Sequence, residues 1–225
     1  MPRRALAYVV LITLCFGLTG CDLLRSKARD QYYDIWEAVG REKREMLVKR
    51  VGKARNAQEE AQEQFEDALE EFQALTGHDG GDLERTYESL KAEFEKAETR
   101  AEAVRERIRK VENVAESLFS EWKTELETFD NAQFRKDSAA KLDATRQKYA
   151  KVVSAMNRAA SSMDPVLVRL RDQVLYLKHN LNAQALGSLD QEVVNLQGDV
   201  NRLIADIQAS ITEADRFIAE LDAEG

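Results

Sequence analysis

The sequence predicts an all-α fold, an elongated antiparallel bundle or coiled coil of about four long helices. Three observations carry that expectation. Apolar residues recur at alternating steps of three and four through most of the chain, the pattern of helices that pack along a stripe. Pro2 and Pro165 are the two prolines, and glycines are scarce after residue 81. The residues are 44% hydrophobic and 33% charged with only 7% aromatic, which suits long helices around a thin core. No alternation of period two lasts long enough to suggest a sheet.

The N-terminus bears on the compartment. Arg3 and Arg4 precede an apolar run from Ala5 to Leu18. A membrane-spanning helix needs roughly 20 apolar residues, so this run suits a signal segment better. Leu18-Thr19-Gly20-Cys21 follows and resembles the bacterial lipobox, in which the Cys thiol accepts a diacylglycerol and the peptide is cut just before it. Residues 1–20 are then a cleaved signal peptide, 21–29 a lipidated tether and 30–225 the helical domain. The competing reading is a short uncleaved anchor with an incidental cysteine. Under the lipobox reading Cys15 leaves with the signal and Cys21 carries the lipid, with acyl chains such as palmitate. That leaves no free thiol, disulfide or Cys-based metal site. Asp22, by resemblance to enterobacterial sorting, favours the inner membrane, with the chain facing the periplasm.

The first helix is the loosest, with Trp36, Val39, Leu47, Val51, Ala54, Ala61, Phe65, Ala68, Phe72 and Leu75 in phase and Gly40 and Gly52 weakening it. Thr76 to Asp82 reads as a turn, with Asp82 able to cap the next helix. The second run is strict: Leu83, Tyr87, Leu90, Phe94, Ala97, Ala101, Val104, Ile108, Val111, Ala115, Leu118, Trp122. Leu126 and Phe129 continue it after a stutter. A break is expected near Asp130 to Asp137. The third run goes from Leu142 through Val152, Met156, Met163, Val166 and Leu170 to Leu181. Its phase passes Asp164-Pro165 unbroken, so one kinked helix or two nearly collinear ones are expected. Val166 to Leu177 is apolar on more than one face, which fits either the most buried part or an oligomer face. Leu186-Gly187-Ser188 reads as the last break, with Ser188 and Gln191 as a capping box. Leu189, Val193, Leu196, Val200, Leu203, Ile207, Ile211, Ala214, Ile218 and Leu221 complete the pattern.

Residues for chemistry are few. His78 and His179 are the two histidines, and neither has the Glu-x-x-His spacing of a di-iron bundle. No phosphate-cradling glycine loop or H-E-x-x-H is present. His78, Asp79 and Asp82 could be read as a weak metal cluster, but a solvated turn that uses Asp for capping is the better explanation. The net charge of −8 argues against nucleic acid as a partner.

Charge layout is more informative. Residues 41–55 hold seven bases, Arg41, Lys43, Arg44, Lys49, Arg50, Lys53 and Arg55, against Glu42 and Glu45. Residues 59–98 hold 14 acids against Arg85, Lys91 and Lys96. Folding at residues 77–81 makes a hairpin acidic at its tip and basic nearer the N-terminus, where Arg100, Arg105, Arg107, Arg109 and Lys110 fall beside the basic block. That block could meet anionic phospholipid, with Tyr32, Tyr33 and Trp36 at the interface. The preferred reading is neutralisation inside the bundle by Asp206, Glu213, Asp215, Glu220, Asp222 and Glu224 of the last helix, since charge runs are usually solvated faces.

The stretch YYDIWEAVGREKREMLVKRV at residues 32–51, followed by an Ala/Gln/Glu-rich helix, resembles the proteobacterial envelope family catalogued as domain of unknown function 2959. Residues from about Met163 to Leu221 are similar too. The resemblance implies a helical envelope protein, often a lipoprotein, and supplies no catalytic or ligand residues. The function expected is a membrane-tethered lipoprotein acting as a non-catalytic structural or adaptor component, bound to a protein partner or to itself. The alternative is a membrane-surface binder that senses or shapes anionic bilayers through residues 41–55. Neither requires a metal, a small-molecule substrate or a cofactor beyond the lipid on Cys21. An enzyme or metal carrier using His78 or His179 is the third class.

Overall fold

The computed structural model describes residues 20–76, 83–180 and 189–223, with side chains for most of those from residue 41 onward. They form four helices: α1, Gly20–Thr76; α2, Leu83–Leu126; α3, Ala132–His179; and α4, Asp190–Asp222. No strand occurs among the described residues. The chain divides into two units, residues 1–43 and 44–225. In the first, the described backbone is helical from Gly20, so most of the segment read as a tether is part of α1.

The second unit builds its core from the three-four stripes. On α1, Leu47, Val51, Ala54, Ala61, Phe65, Ala68 and Phe72 are buried. On α2, the expected positions from Tyr87 to Leu118 are buried, and Trp122 packs against them half-buried. α3 contributes Leu142, Val152, Met156, Met163, Val166, Leu170 and Leu177, and α4 contributes Leu196, Val200, Leu203 and Ile207. Alanines at so many core positions let long helices approach closely, and the aromatic and Met residues fill the wider layers.

Side-chain contacts show the helix order. Gln64 meets Glu93 and Glu60 meets Arg100, so α1 and α2 are antiparallel. Arg105 pairs with Asp164 at 2.5 Å and Asn157 donates to Glu112 at 3.1 Å, which makes α2 and α3 antiparallel. Arg169 bonds Asp199 at 2.8 Å, and Lys148 pairs with Glu220 at 3.0 Å, joining α3 to α4. Gly52 lies 3.8 Å from Ile218 if given a Cβ, Arg55 sits 3.0 Å from Asp215, and Gln73 donates to Gln197 at 2.5 Å. Each of these last three steps forward on α1 matches a step backward on α4. The four helices thus close into an up-down-up-down ring.

Three boundaries differ from the sequence expectation or refine it. The break before α3 falls at residues 127–131, ahead of the expected Asp130–Asp137. Asn131 causes it: its side-chain oxygen accepts from the N–H groups of Gln133 and Phe134, an N-cap that starts the helix at once. Phe129 therefore lies outside α2. α3 runs through Pro165 as one helix. Proline has no N–H for the Ser161 carbonyl, and the hydroxyls of Ser161 and Ser162 bond back to the carbonyls of Asn157 and Arg158, a pattern that bends helices. At the start of α4, Leu189 is already helical with φ −89° and ψ −11°, and Ser188 of the expected capping box lies outside the described residues.

Late in α4 the buried phase shifts. Ser210 and Phe217 are buried, whereas Ile211 and Ile218 are only partly so. Gln58 of α1 makes the shift possible: its side-chain oxygen accepts from Ser210 Oγ at 2.9 Å inside the core.

Candidate functional site

The seam between α1 and α2 grades in charge along its length. Positions 46, 53, 60 and 67 each precede a core residue of α1, and positions 93, 100, 107 and 114 each precede one of α2. Glu60 and Arg100 meet across the seam at 2.5 Å. One heptad towards the start of α1, the equivalent positions are Lys53 and Arg107, two bases. Another heptad places Met46 and Val114 there. In the opposite direction the positions are Asp67 and Glu93, two acids. Glu93 is rescued locally. Burial pushes its carboxyl up, but hydrogen bonds from Lys96 at 2.7 Å and Gln64 at 2.6 Å outweigh this and hold it below the usual range.

The expected basic residues have separate fates. Arg41 is exposed and Lys43 half-buried, both in the first unit. Arg44 stacks over Trp122, 5.9 Å from the ring centroid. Arg55 reaches Glu59 at 3.0 Å and also Asp215. Lys49 and Lys53 are exposed and Arg50 half-exposed; none of the three forms an ion pair among the described residues. Of the bases on α2, Arg100 takes Glu60, Arg105 takes Asp164, Arg109 takes Glu102 and Lys110 takes Glu106. Arg107 forms no ion pair among the described residues, though, behind the hydrogen bond from Lys110, its charge helps hold the Glu106 carboxyl below its usual range.

Both readings of the basic block turn on where the acids of the last helix go. Three acids of the last helix have partners other than α1: Glu213 takes Arg216, Glu220 takes Lys148, and Asp206 accepts from the Ser162 hydroxyl. Asp215 reaches Arg55 on α1, while Glu224 lies outside the described residues. The expected neutralisation therefore covers Arg55 and leaves Lys49, Arg50 and Lys53 in solvent. Net charge by segment could not show this, because it depends on which heptad position each acid occupies.

The outer face of α3 carries the other unmatched feature. Val168 is 47% and Leu175 49% exposed, with Tyr176 beside them at 40%. The multi-faced apolar stretch from Val166 to Leu177 thus serves two surfaces, one in the core and one in solvent. Asp164, four residues before Val168, points to α2 through Arg105, so the Val168–Leu175 stripe lies on that flank.

Leu18, Thr19 and His78 lie outside the described residues. Gly20, Cys21 and Asp22 have helical backbone. His179 is exposed in the last turn of α3. Among the described residues no group of three His, Cys, Asp or Glu side chains could hold a metal, and no helix is long and apolar enough to cross a membrane. A groove between α3 and α4 near Val152 and Phe217 has Lys148 and Arg216 already matched to Glu220 and Glu213.

The fold and its seam define a class: a closed antiparallel four-helix bundle with a charge-graded surface. Residues 32–221 match the family described as a protein of unknown function, DUF2959, and the chain belongs to that family. No curated protein and no solved structure matches it.

Proposed function

We propose that the protein is a non-catalytic structural or adaptor component of the bacterial envelope, tethered to a membrane by lipid on Cys21 and facing the periplasm. Asp22 favours the inner membrane. The observation that carries the adaptor reading is the Val168–Leu175 stripe. These are large apolar side chains one heptad apart, half-exposed on one helix. Exposed apolar clusters of this kind mark protein-binding sites, and a helix face read at seven-residue spacing is a common recognition mode. The lipobox residues Leu18, Thr19, Gly20 and Cys21 support the tether.

In-cell crosslinking with mass spectrometry on the full-length chain tests this, with Cys21→Ala as the mislocalised control. The expected result is reproducible crosslinks from α3 to one envelope protein, lost in Val168→Asp/Leu175→Asp. Crosslinks confined to the chain itself would sink the adaptor reading. Unchanged membrane fractionation of Cys21→Ala would sink the tether.

A further inference from the structure

The unmatched bases Lys49, Arg50, Lys53 and Arg107 form one patch. Lys53 and Arg50 each precede a core residue of α1, Ala54 and Val51. They share the flank of Glu60 and Gln64, which contact α2. Arg107 lies one heptad beyond Arg100 on the facing flank of α2. Lys49 stands on the outer face of α1 next to Arg50, exposed. Like charges facing each other across a helix seam repel, and the acid nearest Arg107 is shared: the charge of Arg107 acts on Glu106, whose hydrogen bond comes from Lys110. Glu106 is held by Lys110, and Glu102 by Arg109 and Arg105. The seam then runs on to Met46, 38% exposed, and Val114, half-buried.

We infer that this seam is a docking surface for the anionic headgroups of a phospholipid bilayer. Phosphate oxygens between Lys53 and Arg107 supply the counter-charge the bundle lacks, and Lys49 and Arg50 extend the contact. Met46 offers an apolar side chain to the interfacial layer. A second copy of the chain could instead present Glu63 and Glu70, which are exposed on α1 and unpaired among the described residues. Magnitudes favour lipid. Each Lys or Arg near an anionic membrane contributes roughly fivefold in partitioning. An exposed ion pair between proteins contributes at most about fivefold and must also offset the lost freedom of a docked partner.

The test uses residues 22–225, which retain every buried core residue from Leu47 to Leu221 and do not carry the lipid. Circular dichroism first establishes equal helicity for parent and variants. Co-sedimentation should show binding to mixed phosphatidylcholine–phosphatidylglycerol vesicles, not to pure phosphatidylcholine, and weaker binding at higher salt. Lys49→Gln/Arg50→Gln/Lys53→Gln should lower partitioning roughly a hundredfold and Arg107→Gln alone about fivefold. Glu63→Gln/Glu70→Gln should not weaken it. Equal binding to both vesicles, no binding, or an undiminished triple variant would each overturn the inference. So would displacement by inorganic phosphate at constant ionic strength, which points to a free-phosphate site. A dimer in sedimentation velocity that the triple variant abolishes, without vesicle binding, would replace lipid by a second copy.

Discussion

At the scale of single residues, the buried polar pair is where sequence reading and structure part. Ser210 and Gln58 are fully buried. Their hydrogen bond joins α1 to α4, while the Gln58 side-chain nitrogen has no hydrogen-bond partner. Periodicity favours Ile211 over Ser210, because a lone serine beside an isoleucine gives no hint of a partner 152 positions away. Ser210→Ala should destabilise the bundle by about 1–3 kcal/mol in urea unfolding, since it strands the Gln58 oxygen in the core. Gln58→Leu/Ser210→Ala should recover most of that loss, because replacing both partners removes the unmet demand. If the double variant is as unstable as the single one, the pair does not act through its hydrogen bond. Tyr149 supplies a pH test. It packs edge-on to Phe119 with centroids 5.4 Å apart. Burial and then the charge of Glu112 push its phenol up to about 12 from an ordinary value of 10.0. The fold thus favours the protonated form. Stability from this group is complete below the ordinary value and falls as pH rises from there towards about 12. Tyr149→Phe should flatten that fall in urea midpoints measured against pH.

At the scale of elements, the heptad runs were legible because helical stripes are a local property: side chains three and four apart share a face whatever they pack against. Both described runs of core positions on α1 and α2 are buried as expected. The boundary before α3 was less legible. Phe129 extends the apolar phase, but Asn131 competes by offering two backbone N–H groups an acceptor, and the cap wins. Pro165 shows the opposite outcome. Its neighbours Met163 and Val166 are both fully buried, so packing on either side holds α3 through a residue that costs up to about 3 kcal/mol in a helix interior. Pro165→Ala, at an exposed position, should raise stability by about 1–3 kcal/mol by restoring an N–H to the Ser161 carbonyl. A lower thermal midpoint in this variant would show that the bend is needed for packing against α4, where Ser162 reaches Asp206.

At the scale of the whole molecule, the ring of contacts predicts shared stability in the 44–225 unit. α4 borders both α1 and α3, and each helix presents one stripe to a common core. Deleting residues from 190 onward should therefore do more than remove one helix. The remaining chain is expected to keep much of its helicity, lose its cooperative thermal transition, and bind a hydrophobic dye. A sharp transition after the deletion would mean that α1–α3 form a sufficient core, and that α4 is an accessory.

The sequence by itself determined the fold class, the four helical runs and the family, because each rests on local periodicity or a contiguous stretch of residues. It also placed seven bases together at 41–55. Tertiary structure decided which of them matter. Helix register set the partners, sending Glu213 to Arg216, Glu220 to Lys148, Asp206 to Ser162 and Asp215 to Arg55. By the register that pairs Glu60 with Arg100, it set Arg107 across the seam from Lys53, more than 50 residues away in sequence. A counted charge carries no position around a helix, and only the packed bundle assigns one.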